Sequence, residues 1–275
     1  MNTAFVRSLV VAGALVAPLA TASAQTHVFQ LNGSFCDQFN GSVCLTQAGG
    51  GTLGLTGFTT GATATSGAGQ KGGLALSNVF NAGSYVVGGA YSIVIRGSLN
   101  SITDNGGYKK IVDFKNFGTG AGYYSAPDGD AVYGTPYYQA SNNTSSDEYG
   151  QAGKYIANTL QTTILTYNGS GLLSAYVDGI WQFTTGAAPA NEFNFTDPNA
   201  TAQFFSSNVS GDQTQGYVDY IATYDHAICS GTQGCEYQFV EDAPSTTTPE
   251  PASMVLLATG LVGVAGFARR RRASK

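Results

Sequence analysis

Residues 161–183 read QTTILTYNGSGLLSAYVDGIWQF. Three runs rich in Thr, Ile, Val, Leu and aromatic residues, Gln161–Tyr167, Leu172–Val177 and Ile180–Phe183, are separated by Asn168-Gly169-Ser170-Gly171 and by Asp178-Gly179. Asn-Gly and Asp-Gly tolerate positive φ, so between β-forming runs they mark reversals of an antiparallel sheet. The stretch therefore predicts a three-stranded meander.

The same grammar extends in both directions. Upstream, Tyr91–Gly97 (YSIVIRG) is a strong strand, and Leu74–Leu76, Tyr85–Val87, Ile111–Phe114, Ala131–Tyr133 and Pro136–Tyr138 are shorter ones. Val28, Phe29 and Leu31 begin a first strand. Residues 46–73, mostly Gly, Thr, Ser and Ala around Leu53, Leu55 and Phe58, predict weak strands or a mobile loop. Gly118–Gly122 and the polar run Ser141–Gly153 read as loops. Downstream, Tyr217–Tyr224 predicts a last strand, with Val218, Tyr220, Ala222 and Tyr224 on one face and Tyr217, Asp219, Ile221 and Thr223 on the other. No window carries a long helical period. Many short strands punctuated by turns predict an all-β sandwich or jelly roll.

Both ends of the sequence stand apart from this pattern. Residues 1–24 have the form of a secretory signal peptide: Arg7, an apolar run Leu9–Leu19, and Ala22-Ser23-Ala24 before Gln25. The sandwich is expected over 25–240, followed by a polar linker at 241–248 and a tail at 249–275. The tail runs Pro249-Glu250-Pro251, a chargeless segment 252–268, then Arg269-Arg270-Arg271-Arg272 within the basic end 269–275. The prolines fix an extended, accessible stretch. A helix over 252–268 is about 26 Å long, slightly short of a ~30 Å hydrocarbon core, and the arginines resist translocation. Read without further context, this is a C-terminal membrane anchor.

The ordered set Pro-Glu-Pro, apolar segment, arginine cluster resembles the PEP-CTERM sorting signal of exported proteins in Gram-negative bacteria that make exopolysaccharide. The resemblance implies recognition and removal of the tail by the membrane enzyme exosortase, with the inner membrane holding the precursor only transiently.

Leader and tail hold half of the basic residues. Residues 25–248 keep six Lys and Arg against sixteen Asp and Glu, a net charge of about −10. Such a surface repels nucleic acid and anionic lipid. It suits neutral glycans and attracts divalent cations. Four cysteines, Cys36, Cys44, Cys229 and Cys235, fall in this part, and an even number in an exported chain predicts disulfides. The short spacings favour Cys36–Cys44 and Cys229–Cys235; pairing across the two clusters stays open. Zinc is disfavoured, because no Cys-x-x-Cys is present and the chain has only His27 and His226.

The succession Tyr91–Ile95, Lys110–Asn116, Leu165–Tyr167 with Ala175–Gly179, and Gly216–Ile221 with Tyr224-Asp225 resembles laminin-G and concanavalin A-like jelly rolls. The resemblance implies kinship in fold with lectins and carbohydrate-binding modules, and Ca²⁺ held by loop carboxylates. The chain departs from that pattern after Phe204-Phe205, where Ser206-Ser207-Asn208 stands in place of an acidic pair. Asp128 and Asp130, in Asp-Gly-Asp, are the remaining calcium candidates, without the other ligands of a calcium loop.

Concanavalin-like glucanases carry Glu-x-Asp-x-x-Glu on one strand; this chain has no such motif, and Glu148, Glu192, Glu236 and Glu241 are isolated. It also lacks Gly-x-Ser-x-Gly and His-Glu-x-x-His. Aromatic residues are the more suggestive feature. Trp181, Tyr123, Tyr124, Tyr137 and Tyr138 are candidates for stacking on sugars, the alternative being that they pack in the sandwich. The expectation is a non-enzymatic exported protein of the cell surface or extracellular matrix, its jelly roll binding exopolysaccharide or another glycan or serving as structure. A secreted glycan hydrolase on the same fold and a matrix component without ligand are the alternatives.

Overall fold

The computed structural model describes residues 27–61, 72–77, 89–114, 121–128, 132–140, 147–186, 193, 201–206 and 215–237. The chain divides into two units, Met1–Cys235 and Glu236–Lys275. The leader 1–24, Tyr85–Val87, Asp130, the linker 241–248 and the tail with its expected span 252–268 lie outside the described residues. Among the described residues no helix is long and apolar enough to cross a membrane.

Fifteen strands are described: β1 His27–Phe29, β2 Thr46–Ala48, β3 Gly51–Leu53, β4 Phe58–Thr60, β5 Gly73–Ser77, β6 Tyr91–Leu99, β7 Lys109–Asp113, β8 Gly122–Ala126, β9 Thr135–Gln139, β10 Glu148–Tyr149, β11 Gln161–Tyr167, β12 Leu173–Val177, β13 Ile180–Thr184, β14 Thr201–Phe204 and β15 Gly216–Tyr224. One 3₁₀ turn, Asp104–Gly107, precedes β7. The strands form two sheets. The eight-stranded sheet runs β13-β12-β11-β6-β15-β4-β3, with β1 also paired to β15; the seven-stranded sheet runs β10-β9-β8-β7-β14-β5-β2. Every pairing is antiparallel. The expected all-β sandwich is what forms.

Period-two alternation aims one side of each sheet at the other. Ile93, Ile95, Leu165, Ala175, Val177 and Ile221 of the eight-stranded sheet, and Leu74, Leu76, Val112, Tyr123, Tyr138, Ala202 and Phe204 of the seven-stranded one, share a single buried cluster. The meander of 161–183 is β11, β12 and β13. Its Asp178-Gly179 turn has φ of 51° and 76°, as the dipeptide predicts.

Several elements differ from the sequence reading. Of the weak strands or mobile loop expected over 46–73, short strands form at Thr46–Ala48, Gly51–Leu53 and Phe58–Thr60. Val132 and Tyr133 are not in a strand: a bend at Tyr133-Gly134 precedes β9, and Asp128 N–H donates to Val132 O. The polar run 141–153 contains the edge strand β10. On β15 a bulge between Val218 and Tyr220 breaks the alternation. Val218 and Ile221, three residues apart, both enter the core, so the expected division of faces fails beyond the bulge.

Both cysteine pairs are local, Cys36–Cys44 and Cys229–Cys235. The first sits beside a buried clamp. Asp37 accepts from Val28 N–H at 2.9 Å and Phe39 N–H at 3.1 Å, and its other oxygen lies 2.9 Å from His27 Nδ1. After β15 the chain doubles back across the outer side of the eight-stranded sheet. Ile228 N–H donates to Ser92 Oγ, Tyr176 O–H to Gly231 O and Cys235 N–H to Gly179 O. The second disulfide closes that return.

Candidate functional site

The tyrosine pairs of β8 and β9 are split by the pleat. Tyr123 and Tyr138 face each other in register and enter the core. Tyr124 and Tyr137, also in register, form a separate buried cluster with Ala126 and Tyr108 on the outer side of the seven-stranded sheet. The register extends both ways: Lys110 of β7 stands opposite Tyr124, and Tyr149 of β10 opposite Tyr137. Lys110, Tyr124, Tyr137 and Tyr149 therefore make one row across four adjacent strands.

The row is held by specific contacts. Lys110 Nζ lies 5.1 Å from the Tyr124 ring centroid and 2.8 Å from Asp113 Oδ2, and both charged side chains are fully buried. The Tyr124 and Tyr137 rings are 5.9 Å apart and tilted; those of Tyr137 and Tyr149 are 4.5 Å apart and stacked at 26°. Tyr108 closes one flank, edge-on to Tyr124 at 6.5 Å and to Tyr137 at 6.1 Å. Exposure is graded along the row: 0% at Tyr124, 4% at Tyr137 and 46% at Tyr149. The row starts in a sealed ion pair and ends in solvent at the sheet edge.

Asp147 is tied to the open end. Its Oδ2 accepts from the Tyr137 hydroxyl at 2.7 Å and its Oδ1 from Ala140 N–H at 2.9 Å. Burial, then the bond to Asp147, pushes the Tyr137 hydroxyl far above the usual tyrosine range, so it stays a protonated donor. The neighbouring Glu148 is in register with the inward-facing Tyr138, and its Oε1 accepts from Gly186 N–H at 3.3 Å.

Of the five aromatic residues singled out in the sequence, the structure brings together Tyr124 and Tyr137. Tyr123 and Tyr138, buried between the sheets, and Tyr124 and Tyr137, buried to 0% and 4% exposure on the other side, offer no free ring face to a ligand; the exposed ring of the row is Tyr149. Trp181 is partly buried on the edge strand β13, opposite Tyr176, with its Nε1–H donating to Thr184 Oγ1 at 3.2 Å. Tyr108 and Tyr149 were missed, because Tyr149 falls in a polar stretch and its role depends on cross-strand register. Asp128 Oδ1 accepts from Val132 N–H at 2.7 Å and so closes its own loop. Among the described residues no group of three or more His, Cys, Asp or Glu side chains is placed to hold a metal.

A cleft between the sheets is lined by Ile95, Gly97, Ile111, Tyr155, Thr163 and Phe205 among others. Its free space is water-sized, too small for a sugar ring. Tyr155 O–H lies 2.9 Å from Tyr123 O–H and 2.6 Å from Thr163 Oγ1, a chain that satisfies these hydroxyls internally.

Comparison with solved structures places the fold. The sandwich is similar to the binding domain of botulinum neurotoxin DC in complex with rat synaptotagmin II, with TM-score 0.52, 14% identity, and coverage of 74% of this chain and 49% of that one. It is equally similar to the same binding domain in complex with SialylT, with TM-score 0.53, 14% identity, and coverage of 74% and 48%. A botulinum neurotoxin type C structure, whose description ties cell entry to two ganglioside molecules, gives TM-score 0.52, 12% identity, and coverage of 75% and 49%. The chain spans about half the length of these structures, and the likeness is one of fold. No curated protein matches the sequence. Residues 247–272 match the PEP-CTERM protein-sorting motif, which implies export, exosortase processing and sorting to the cell surface. The chain thus carries a PEP-CTERM sorting motif C-terminal to an antiparallel two-sheet β-sandwich similar in fold to the botulinum neurotoxin binding domains.

Proposed function

We propose that this protein is a non-enzymatic exported module that holds a glycan of the cell surface or exopolysaccharide matrix at the Tyr149 edge of its seven-stranded sheet. The observation that carries this reading is the graded tyrosine row, sealed at Lys110 and open at Tyr149. Pyranose rings present faces of C–H groups, which pack on aromatic faces, and a rigid tyrosine contributes that area at low entropic cost. The botulinum neurotoxin structures named for gangliosides and SialylT show that a related sandwich occurs in glycan-associated proteins.

The non-enzymatic reading is supported by the local carboxylates. Both oxygens of Asp147 accept hydrogen bonds from the protein, and Glu148 is in register with the opposite side of the sheet. A glycosidase needs two carboxyl groups flanking one bond. The test is incubation of the exported protein with a panel of polysaccharides, reading retention and reducing-end release together. Retention without release is expected. Turnover that disappears in Glu148→Gln would overturn the reading.

A further inference from the structure

We propose that the open end of the tyrosine row selects uncharged or amino-bearing pyranosides and rejects uronates, with Asp147 as the discriminating charge. This inference rests on the glycan-binding reading. Tyr149 has one ring face against Tyr137 at 4.5 Å and is 46% exposed. It lies on β10, a two-residue strand that ends its sheet among the described residues. A sugar arriving at that edge meets a ring that is 46% exposed.

The charges along the row are unequal. The cation Lys110 stands at the closed end, buried and neutralised by Asp113 at 2.8 Å. At the open end Asp147 has no basic partner among the described residues; its oxygens accept from a tyrosine hydroxyl and a backbone N–H. The row therefore has a neutral sealed end and a negative open one. A carboxylate accepts up to about four hydrogen bonds, so Asp147 retains lone pairs for further donors. Sugar hydroxyls supply donors, and a protonated amino group supplies donors together with opposite charge. A uronate brings a second carboxylate to the same place. At contact distance this repulsion lies inside the Debye length of about 8 Å at physiological ionic strength, so salt weakens it without removing it. The net charge of about −10 over residues 25–248 acts in the same direction.

The test is calorimetric titration of the exported protein with three hexasaccharides: a neutral β-1,4-glucan, its glucosamine analogue and a galacturonate. The neutral hexamer is expected to bind, the glucosamine hexamer at least as tightly, and the galacturonate about tenfold or more weaker, with the gap narrowing as salt is raised. Tyr149→Ala is expected to weaken the neutral hexamer about tenfold, and Tyr149→Phe to retain most of its binding. Asp147→Asn is expected to narrow the gap between neutral and galacturonate hexamers several-fold. Galacturonate binding as tight as neutral binding overturns the selectivity. A gap that survives Asp147→Asn overturns the role of Asp147. Hexamer binding unchanged by Tyr149→Ala refutes this site but leaves glycan binding standing. Failure of every glycan to bind refutes the glycan-binding reading and this inference together. Near-ultraviolet circular dichroism of each variant separates lost binding from lost fold.

Discussion

The two sides of the seven-stranded sheet use the same residue to different ends. Tyr123-Tyr124 and Tyr137-Tyr138 each send one ring inward and one outward. Inside, Tyr123 packs on Phe183 at 6.2 Å and Tyr138 on Phe193 at 5.1 Å, and the Tyr123 hydroxyl joins a chain through Tyr155 to Thr163. Outside, Tyr124 lies under a lysine and Tyr137 is bound to a carboxylate. The inner side is a hydrophobic core in which the Tyr123, Tyr155 and Thr163 hydroxyls are bonded in a chain. The outer side is organised by charge and by ring stacking, and it reaches solvent at its edge, at Tyr149. A pleat of period two is enough to convert one composition into a core and a candidate binding surface.

Disrupting each side should show what each is for. Asp113→Asn removes the counter-charge of fully buried Lys110 and is expected to cost about 3–5 kcal/mol in urea unfolding, because the lysine stays buried without it. The double replacement Lys110→Met, Asp113→Leu should restore most of that loss, since it removes both desolvation costs together. Phe204→Ala, between the sheets, is expected to cost a similar ~3–5 kcal/mol through an unfilled cavity, with no second-site rescue from a charge change. If both losses are rescued the same way, the outer side is ordinary core.

Alkaline titration separates the two sides by their hydroxyls. Burial raises the Tyr123 and Tyr155 hydroxyls, and burial followed by the Asp147 bond raises Tyr137. Each folded tyrosine keeps its proton where the unfolded one, with pKa near 10, loses it. Their stability contribution is therefore complete below pH 10 and falls as pH rises above it, by about 1.4 kcal/mol per pH unit for each tyrosine. Tyr137→Phe should reduce that slope by about one tyrosine's share. An unchanged slope would show that the outer hydroxyl ionises as it does in the unfolded chain.

Much of the fold was legible in local chemistry. The β-branched runs of β6, β11 and β15 and the Asp178-Gly179 turn needed only neighbours in sequence. The cysteine pairs likewise close short loops. β8 was not legible, since Gly122, Ser125 and Ala126 are poor strand formers and the strand is imposed by β7 and β9 on either side. At Gly122 an added Cβ would come within 2.8 Å of Val112 O, so its small size serves that pairing and does not mark a loop. The bulge in β15 carried no sequence mark. The tyrosine row was half legible: residue types pointed to Tyr124 and Tyr137, but joining them to Lys110 and Tyr149 takes the register of four strands connected through loops.

The disulfide at the end of β15 tests whether the return across the eight-stranded sheet depends on covalent closure. Replacing Cys229 and Cys235 together with serine is expected to cost about 2 kcal/mol by the loop-entropy model for so short a loop. Glycan retention should be unchanged, because the row lies on the other sheet. Loss of retention in this variant would tie the two sheets' outer sides together energetically.

The smallest expected stability effect falls on the residue with the largest expected binding effect. Tyr149 is half exposed on a two-residue edge strand, so truncating it to alanine opens no internal cavity. What is lost is its stacked contact with Tyr137, worth about 0.5–1.5 kcal/mol. Tyr149→Ala should therefore lower the urea midpoint slightly at constant m value, with a stability change of about 1 kcal/mol or less. Tyr124→Ala, two places inward on the same row and fully buried, should cost about 3–5 kcal/mol. A residue that contributes little to folding but stays fixed against a rigid neighbour is available for a ligand. If Tyr149→Ala instead costs 3 kcal/mol or more, Tyr149 is part of the packing, and the open end of the row is a frayed edge of the core with no role in binding.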